Sequence, residues 1–271
     1  MTTVADALDS ALVALTAARV DSPRLDAELL LADALGVDRT RLYLEPELRV
    51  EGPPVRRFQE LVRRRAVERE PVAYLLGRKG FRRLELEVDG RVLVPRPETE
   101  LLVEVAVAQL APGARVVDVG TGSGAIALAL ADERPDLRVT GSDVSADALA
   151  VARANGQRLG LPVAWVEADG LAPGEWDAVV ANLPYVAAGE RLAPEIARHE
   201  PALALFAGPD GLDAIRALVA QAAHRVAWLA LEHGAEQGAT VRALLRGAGY
   251  ARVRTERDLG GHERVTVARG E

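Results

Sequence analysis

Over residues 1–76 the apolar positions recur every three to four residues, and nothing in that stretch alternates as a strand does. "VADALDSALVALTAA" sets Val4, Leu8, Ala11, Leu12 and Leu15 on one helical face. "SPRLDAELLLADALG" begins with Ser22 as an N-cap and Pro23 in the first turn, and it stops at Gly36. "PPVRRFQELVRRRAVERE" puts Val55, Phe58, Leu61, Val62 and Ala66 on one side and Arg56, Arg57, Arg63 and Arg64 on the other. The arginine side reads as solvated surface, with a docking face for a partner as the competing reading. Residues 1–76 are therefore expected to form a small helical domain.

The pattern changes at "RKGFRRLELEVDGRVLVPRPETE". Alternation through Leu84, Leu86 and Val88, then Asp89-Gly90, then "RVLV" predicts a hairpin turning at Asp89-Gly90, and residues 77–97 form a linker. From residue 98 to 271, strands and helices alternate. Strands are predicted in "ARVVDVG", "LRVTGSD", "VAWVEAD", "WDAVVAN", "VAWLALEH", "YARVRTERD" and "ERVTVAR". This is an α/β class: a seven-stranded, mostly parallel sheet with helices on both faces. The last two strands have no helix between them, so one strand should run antiparallel.

Composition removes several function classes. The net charge of -7 argues against a broad nucleic-acid footprint. With no cysteine there is no disulfide, thiolate metal site or cysteine nucleophile. His199, His224, His233 and His262 lack metal-binding spacing, so no metal is expected. The first residues contain acids and no basic leader, and no run approaches the ~20 apolar residues of a membrane span. A cytoplasmic protein without a membrane partner is expected.

The chemistry gathers at strand ends. "VVDVGTGSG" joins a strand to a helix through Gly120, Gly122 and Gly124, with Thr121 and Ser123 between them and Asp118 just before. Asp118, Asp143, Asp169 (followed by Gly170) and Asn182 close four consecutive predicted strands, so they should converge on one crevice. Asp143 lies at the distance from the glycines where an acid accepts bonds from both ribose hydroxyls. The turn is GTGSG rather than the GxGxxG a pyrophosphate needs, and carboxylates recur. Both features favour S-adenosylmethionine, leaving as S-adenosylhomocysteine. "NLPY", Asn182-Leu183-Pro184-Tyr185, follows the fourth strand. There the Asn182 side-chain oxygen and the Leu183 carbonyl can accept both hydrogens of a planar NH2 group. Pro184 stiffens the turn, and Tyr185 offers a ring face.

These residues, together with "LVPRPETELLVE", "EPALALFAGPDGLDAIR", "LEHGAEQ" and "DLGGHERVTVAR", make the whole chain resemble the HemK/PrmC glutamine methyltransferases of peptide-chain release factors. The resemblance implies a class I, Rossmann-like methyltransferase domain and cofactor contacts on Gly120–Gly124, Asp143 and Asp169. It also implies a release-factor Gly-Gly-Gln glutamine held by Asn182–Tyr185, with Arg96 and Glu98 near the substrate. Two departures stand out: Leu183 replaces the first proline of the family's NPPY, and Gly170 stands where relatives often carry an aromatic residue. Competing readings are a glutamine methyltransferase of a ribosomal protein, an N6-adenine methyltransferase of nucleic acid, and a cofactor-binding protein without catalysis. The charge and the lack of an insertion after Tyr185 argue against direct nucleic-acid binding.

Overall fold

The computed structural model describes residues 2–270, and the chain divides into two compact units. The first comprises the residues up to Gly77 together with Leu192–His199. It contains α1 (Val4–Ala17), α2 (Pro23–Leu35), α3 (Arg39–Leu44), α4 (Pro53–Arg63), α5 (Val72–Leu76) and, far along the chain, the short α9 (Pro194–His199). A capping box starts α1: Thr3 Oγ1 accepts the Asp6 N–H, and the Thr3 N–H donates to the Asp6 carboxylate. Val4, Leu8 and Leu15 of α1 then pack with Leu30 and Leu31 of α2 and Phe58 and Leu61 of α4.

The arginines of α4 and the turn after it pair with acids: Arg57 with Asp33, Arg63 with Glu60, Arg64 with Glu70. A single wider π turn, Arg64–Glu68, swings Arg65 inward. There its guanidinium meets Asp26 at 2.7 Å and Glu195 of α9 at 3.3 Å. One expectation needs correcting. Residues 1–76 are not helical only, because β1 (Thr2–Thr3) pairs antiparallel with β2 (Arg49–Val50). Two-residue strands are too short for a period-two pattern to register.

The second unit, Arg78–Arg191 with the chain from Glu200 onward, is the α/β body. It opens with β3 (Arg78–Phe81), β4 (Leu84–Glu87) and α6 (Glu100–Gln109). The seven expected strands follow as β5 (Arg115–Val119), β6 (Arg138–Asp143), β7 (Ala164–Glu167), β8 (Ala178–Ala181), β9 (Trp228–Glu232), β10 (Arg252–Arg257) and β11 (Glu263–Arg269). The helices between them are α7 (Ala125–Glu133), α8 (Ala146–Leu159), α10 (Asp213–Ala222) and α11 (Gly238–Gly247). They form one sheet in the order β10-β11-β9-β8-β5-β6-β7. Only β11 runs against its neighbours β9 and β10.

Alternation along β5 explains the layers. Val116 faces the cluster built with α6 and α7, while Val117 and Val119 face the one built with α10 and α11. With both faces covered, every residue of β8 is buried, which is why that strand reads as a continuous apolar run.

The hairpin forms one strand earlier than predicted. β3 pairs with β4, so the turn is Arg82-Arg83 rather than Asp89-Gly90. Arg82 is held there from a distance: its guanidinium bonds Glu133 at 2.8 Å and Glu104 at 2.7 Å, and its N–H meets Glu100 at 3.0 Å. Asp89-Gly90 still turns the chain, but Val92 and Val94 beyond it are buried outside any strand.

Candidate active site

The strand order reverses between β5 and β8. β6 and β7 extend the sheet on one side of β5, and β8 and β9 extend it on the other. The carboxyl ends of β5 and β8 therefore face a crevice, the place where open α/β sheets bind ligands. A cavity of about 250 Å³ lies there, bounded among others by Gly120, Asp143, Asp169, Asn182 and Pro184.

The glycine turn is braced from beneath. Thr121 N–H bonds Ser142 O at 2.8 Å, and the side chains of Thr121 and Ser123 are buried. Gly120 has φ +72°, and a Cβ on it would stand 2.9 Å from the Leu183 side chain. A side chain there would be strained and would also strike its neighbour. Gly122 borders the cavity, whereas Gly124 lies just before α7 as its N-cap.

Asp118 does not reach the crevice. It is fully buried, and its Oδ2 accepts from Thr121 Oγ1 at 2.6 Å and from the Ala127 N–H at 3.1 Å. Burial pushes its carboxyl up to about 7 against those bonds. Its place is to tie the turn to α7. Asp143 does border the cavity: Oδ2 accepts the Gly122 N–H and Oδ1 the Ser145 N–H, both at 2.9 Å. Each oxygen keeps a lone pair for a ligand.

Past β7, Asp169 is exposed and Gly170 turns with φ +78°. Gln221 of α10 takes the space an aromatic side chain would need. A Cβ on Gly170 would meet Gln221 Oε1, which accepts the Leu171 N–H at 2.6 Å. Ala168, Ala214, Ala217 and Leu218 supply the apolar wall.

On the β8 side, Asn182 Nδ2 donates to Thr99 Oγ1 at 2.9 Å, which leaves Oδ1 as the acceptor. Leu183 and Pro184 border the cavity. Tyr185 does not border it; its carbonyl accepts from Gln237 Nε2 at 2.9 Å. Burial and then the charge of Glu232 push the Tyr185 phenol up to about 12. Arg96 is held at 2.6 Å by Glu200, whose side chain is buried and also receives the Val94 N–H. Glu98 is exposed on the turn before α6.

Two family models match the chain: "PrmC N-terminal domain" over residues 6–77 and "Methyltransferase small domain" over residues 97–200. A release factor glutamine methyltransferase of Xylella fastidiosa is 44% identical over 97% of this chain and 98% of its own. One from Pseudomonas aeruginosa is 47% identical over 91% of this chain and 93% of its own. The chain belongs to the release factor glutamine methyltransferases. A Pyrococcus furiosus methyltransferase structure, 18% identical, superposes with a TM-score of 0.53 over 69% of this chain and 90% of that one, a likeness of fold.

In this release factor glutamine methyltransferase, sequence pattern singles out none of five polar residues that support the site: Gln221, which borders the cavity, Thr99, Glu200 and Gln237, which bond Asn182, Arg96 and Tyr185, and Glu232, alongside Asn182. Glu232 carried a usable signal, since it closes β9 as Asp143 closes β6. The others act through partners many tens of residues away, such as Thr99 with Asn182, 83 positions apart.

Proposed function

We propose that this chain methylates the side-chain amide nitrogen of the glutamine in the Gly-Gly-Gln loop of peptide-chain release factors, using S-adenosylmethionine, releasing S-adenosylhomocysteine and, from the methylated nitrogen to water, a proton, and requiring no metal. The observation that carries the reading is the orientation of Asn182. Its NH2 is taken by Thr99, so its oxygen is left to accept from a substrate NH2 at the reversal point of the sheet. Family membership supplies the substrate class.

The crevice fits the methyl donor. Asp143 keeps lone pairs for ribose hydroxyls, Asp169 can accept from the adenine amino group, and the alanine-rich wall suits a flat base. Gly120 and Gly122 admit close approach of the backbone. When bound, S-adenosylmethionine supplies an electrophilic methyl group on a sulfonium.

A carboxamide nitrogen is a poor nucleophile, so the residues around it must contribute chiefly by placing it. Asn182 Oδ1 and the Leu183 carbonyl accept its two hydrogens and point the nitrogen at the methyl group, a positional effect. Pro184 stiffens that turn. Tyr185, held by Gln237, flanks the motif with a phenol that stays protonated at neutral pH. Arg96 and Glu98 are proposed to meet the substrate loop, Arg96 in the pose Glu200 gives it.

Glycines beside the target glutamine allow a slim loop to enter. The helical first unit is proposed to hold the body of the release factor, supplying affinity away from the reacting atom. Among the described residues no helix is long and apolar enough to cross a membrane, and this reading places the protein in the cytoplasm with its substrate.

Mass spectrometry of a release factor incubated with this protein and S-adenosylmethionine tests the reading. One added methyl on the loop glutamine is expected, and none on a Gly-Gly-Glu variant. An unmarked release factor beside a methylated adenine oligonucleotide or ribosomal protein overturns it.

A further inference from the structure

Glu232 ends β9 next to the catalytic motif, since Ala181 of β8 pairs with Leu231 and Asn182 therefore follows alongside Glu232. The residue is 1% exposed, and neither carboxylate oxygen completes a hydrogen bond of ordinary geometry. A buried carboxylate left so is costly and calls for a reason. Two hydroxyls, Thr99 and Tyr185, stand close enough to favour its charged form.

One of them is already engaged with the motif. Thr99 Oγ1 accepts the Asn182 Nδ2 hydrogen at 2.9 Å, so its own proton is free to point to an acceptor on the far side. We propose that Glu232 is a positioning residue for methyl transfer: its carboxylate accepts a hydrogen bond from the Thr99 hydroxyl, which keeps Thr99 Oγ1 facing Asn182 as an acceptor and Asn182 Oδ1 facing the substrate amide. The inference rests on the methyl-transfer reading above.

The polarity of this chain matters because the substrate offers only N–H donors to Asn182. A protonated Glu232 donates to Thr99, and the Thr99 proton then turns toward Asn182. That favours the flipped carboxamide, which presents NH2 to NH2. Burial pushes Glu232 up to about 7, which puts the reversal within reach of neutral solutions. Arg264 of β11 pulls toward the charged form together with the two hydroxyls, and Glu98 pulls against it. The charges of Arg264 and Arg96 pull the Tyr185 phenol toward ionisation, and Glu98 opposes them. His233 is bonded away, to Gly234 O and Thr266 Oγ1.

The test is steady-state methylation of a release factor across pH, with calorimetry of S-adenosylmethionine binding alongside. The parent should lose kcat as pH falls below about 7. Glu232→Gln keeps an acceptor but cannot titrate, so it should retain part of the rate and lose that acidic limb. Glu232→Met and Thr99→Val should lower kcat about tenfold or more, with cofactor affinity and the KM for release factor near parent values. Thr99→Ser should restore the parent rate and serves where Glu232→Met does not fold. Glu232→Met within twofold of the parent, an acidic limb unchanged in Glu232→Gln, or an unimpaired Thr99→Val overturns the proposal. A parent that leaves release factor unmarked defeats the functional reading instead.

Discussion

Asp143 Oδ2 accepts the Gly122 N–H at 2.9 Å, so the acid ending β6 holds the glycine turn that follows β5. Its second oxygen holds the Ser145 N–H at the start of α8, also at 2.9 Å. One carboxylate thus shapes the turn and faces the crevice. Asp143→Ala should weaken S-adenosylmethionine binding by tenfold or more, because charge-assisted bonds contribute about 1.5–3 kcal/mol each. Calorimetry decides: unchanged affinity in a folded variant removes Asp143 from the cofactor site.

Asn182→Ala should leave cofactor affinity nearly intact and lower kcat on the order of 100-fold, the cost of a reacting group displaced by about 1 Å. A variant that binds cofactor normally and turns over near the parent rate rules out the amide clamp.

Leu183 lies against Gly120, and among the described residues its N–H donates no hydrogen bond. Leu183→Pro, which matches the NPPY of the wider family, keeps the carbonyl and removes an idle donor. Its activity should stay within a few-fold of the parent. The lost apolar cover over the turn should cost about 1 kcal/mol in urea denaturation. A loss as deep as that of Asn182→Ala would show that the Leu183 side chain, and not only its carbonyl, places the substrate.

Arg65 is 6% exposed and joins Asp26 to Glu195 in the first unit. Arg65→Ala leaves buried acid without its main partner, although Ser22 still donates to Asp26 and Arg69 to Glu195. A loss of about 3 kcal/mol is expected, together with faster proteolytic cutting between residues 192 and 199. Equal protease resistance in variant and parent would refute the anchoring of that segment by Arg65.

Asp118 carries a pH signature in stability. Its carboxyl is lifted from 3.8 to about 7 in the fold, so the folded state keeps a proton that the unfolded chain gives up. The stabilising proton is in place below 3.8 and is lost as pH rises through about 7. At about 1.4 kcal/mol per pH unit, the decline over that window reaches on the order of 4 kcal/mol. Asp118→Asn should flatten it. Urea midpoints measured from pH 4 to 8 give the comparison, and parallel curves for parent and variant would contradict the assignment.

Much of this molecule is legible in local pattern. Period and punctuation alone predict all seven strands, and the rule that ligands sit beyond strand ends brings Asp143, Asp169 and Asn182 to one crevice. That works because a strand's burial and direction are written in neighbouring residues. The same rule misplaces Asp118: whether a strand-end acid points outward or under the turn depends on a helix packed above it, here through the Ala127 N–H. The hairpin turn, the hold of Glu200 on Arg96 and the grouping of residues 192–199 with the helical unit are likewise settled by partners distant in sequence. Asn182 itself illustrates the division. Its presence at a strand end can be read from the sequence, but which end of its carboxamide meets the substrate is decided by Thr99, 83 positions earlier, because only the folded chain brings that hydroxyl within hydrogen-bonding distance.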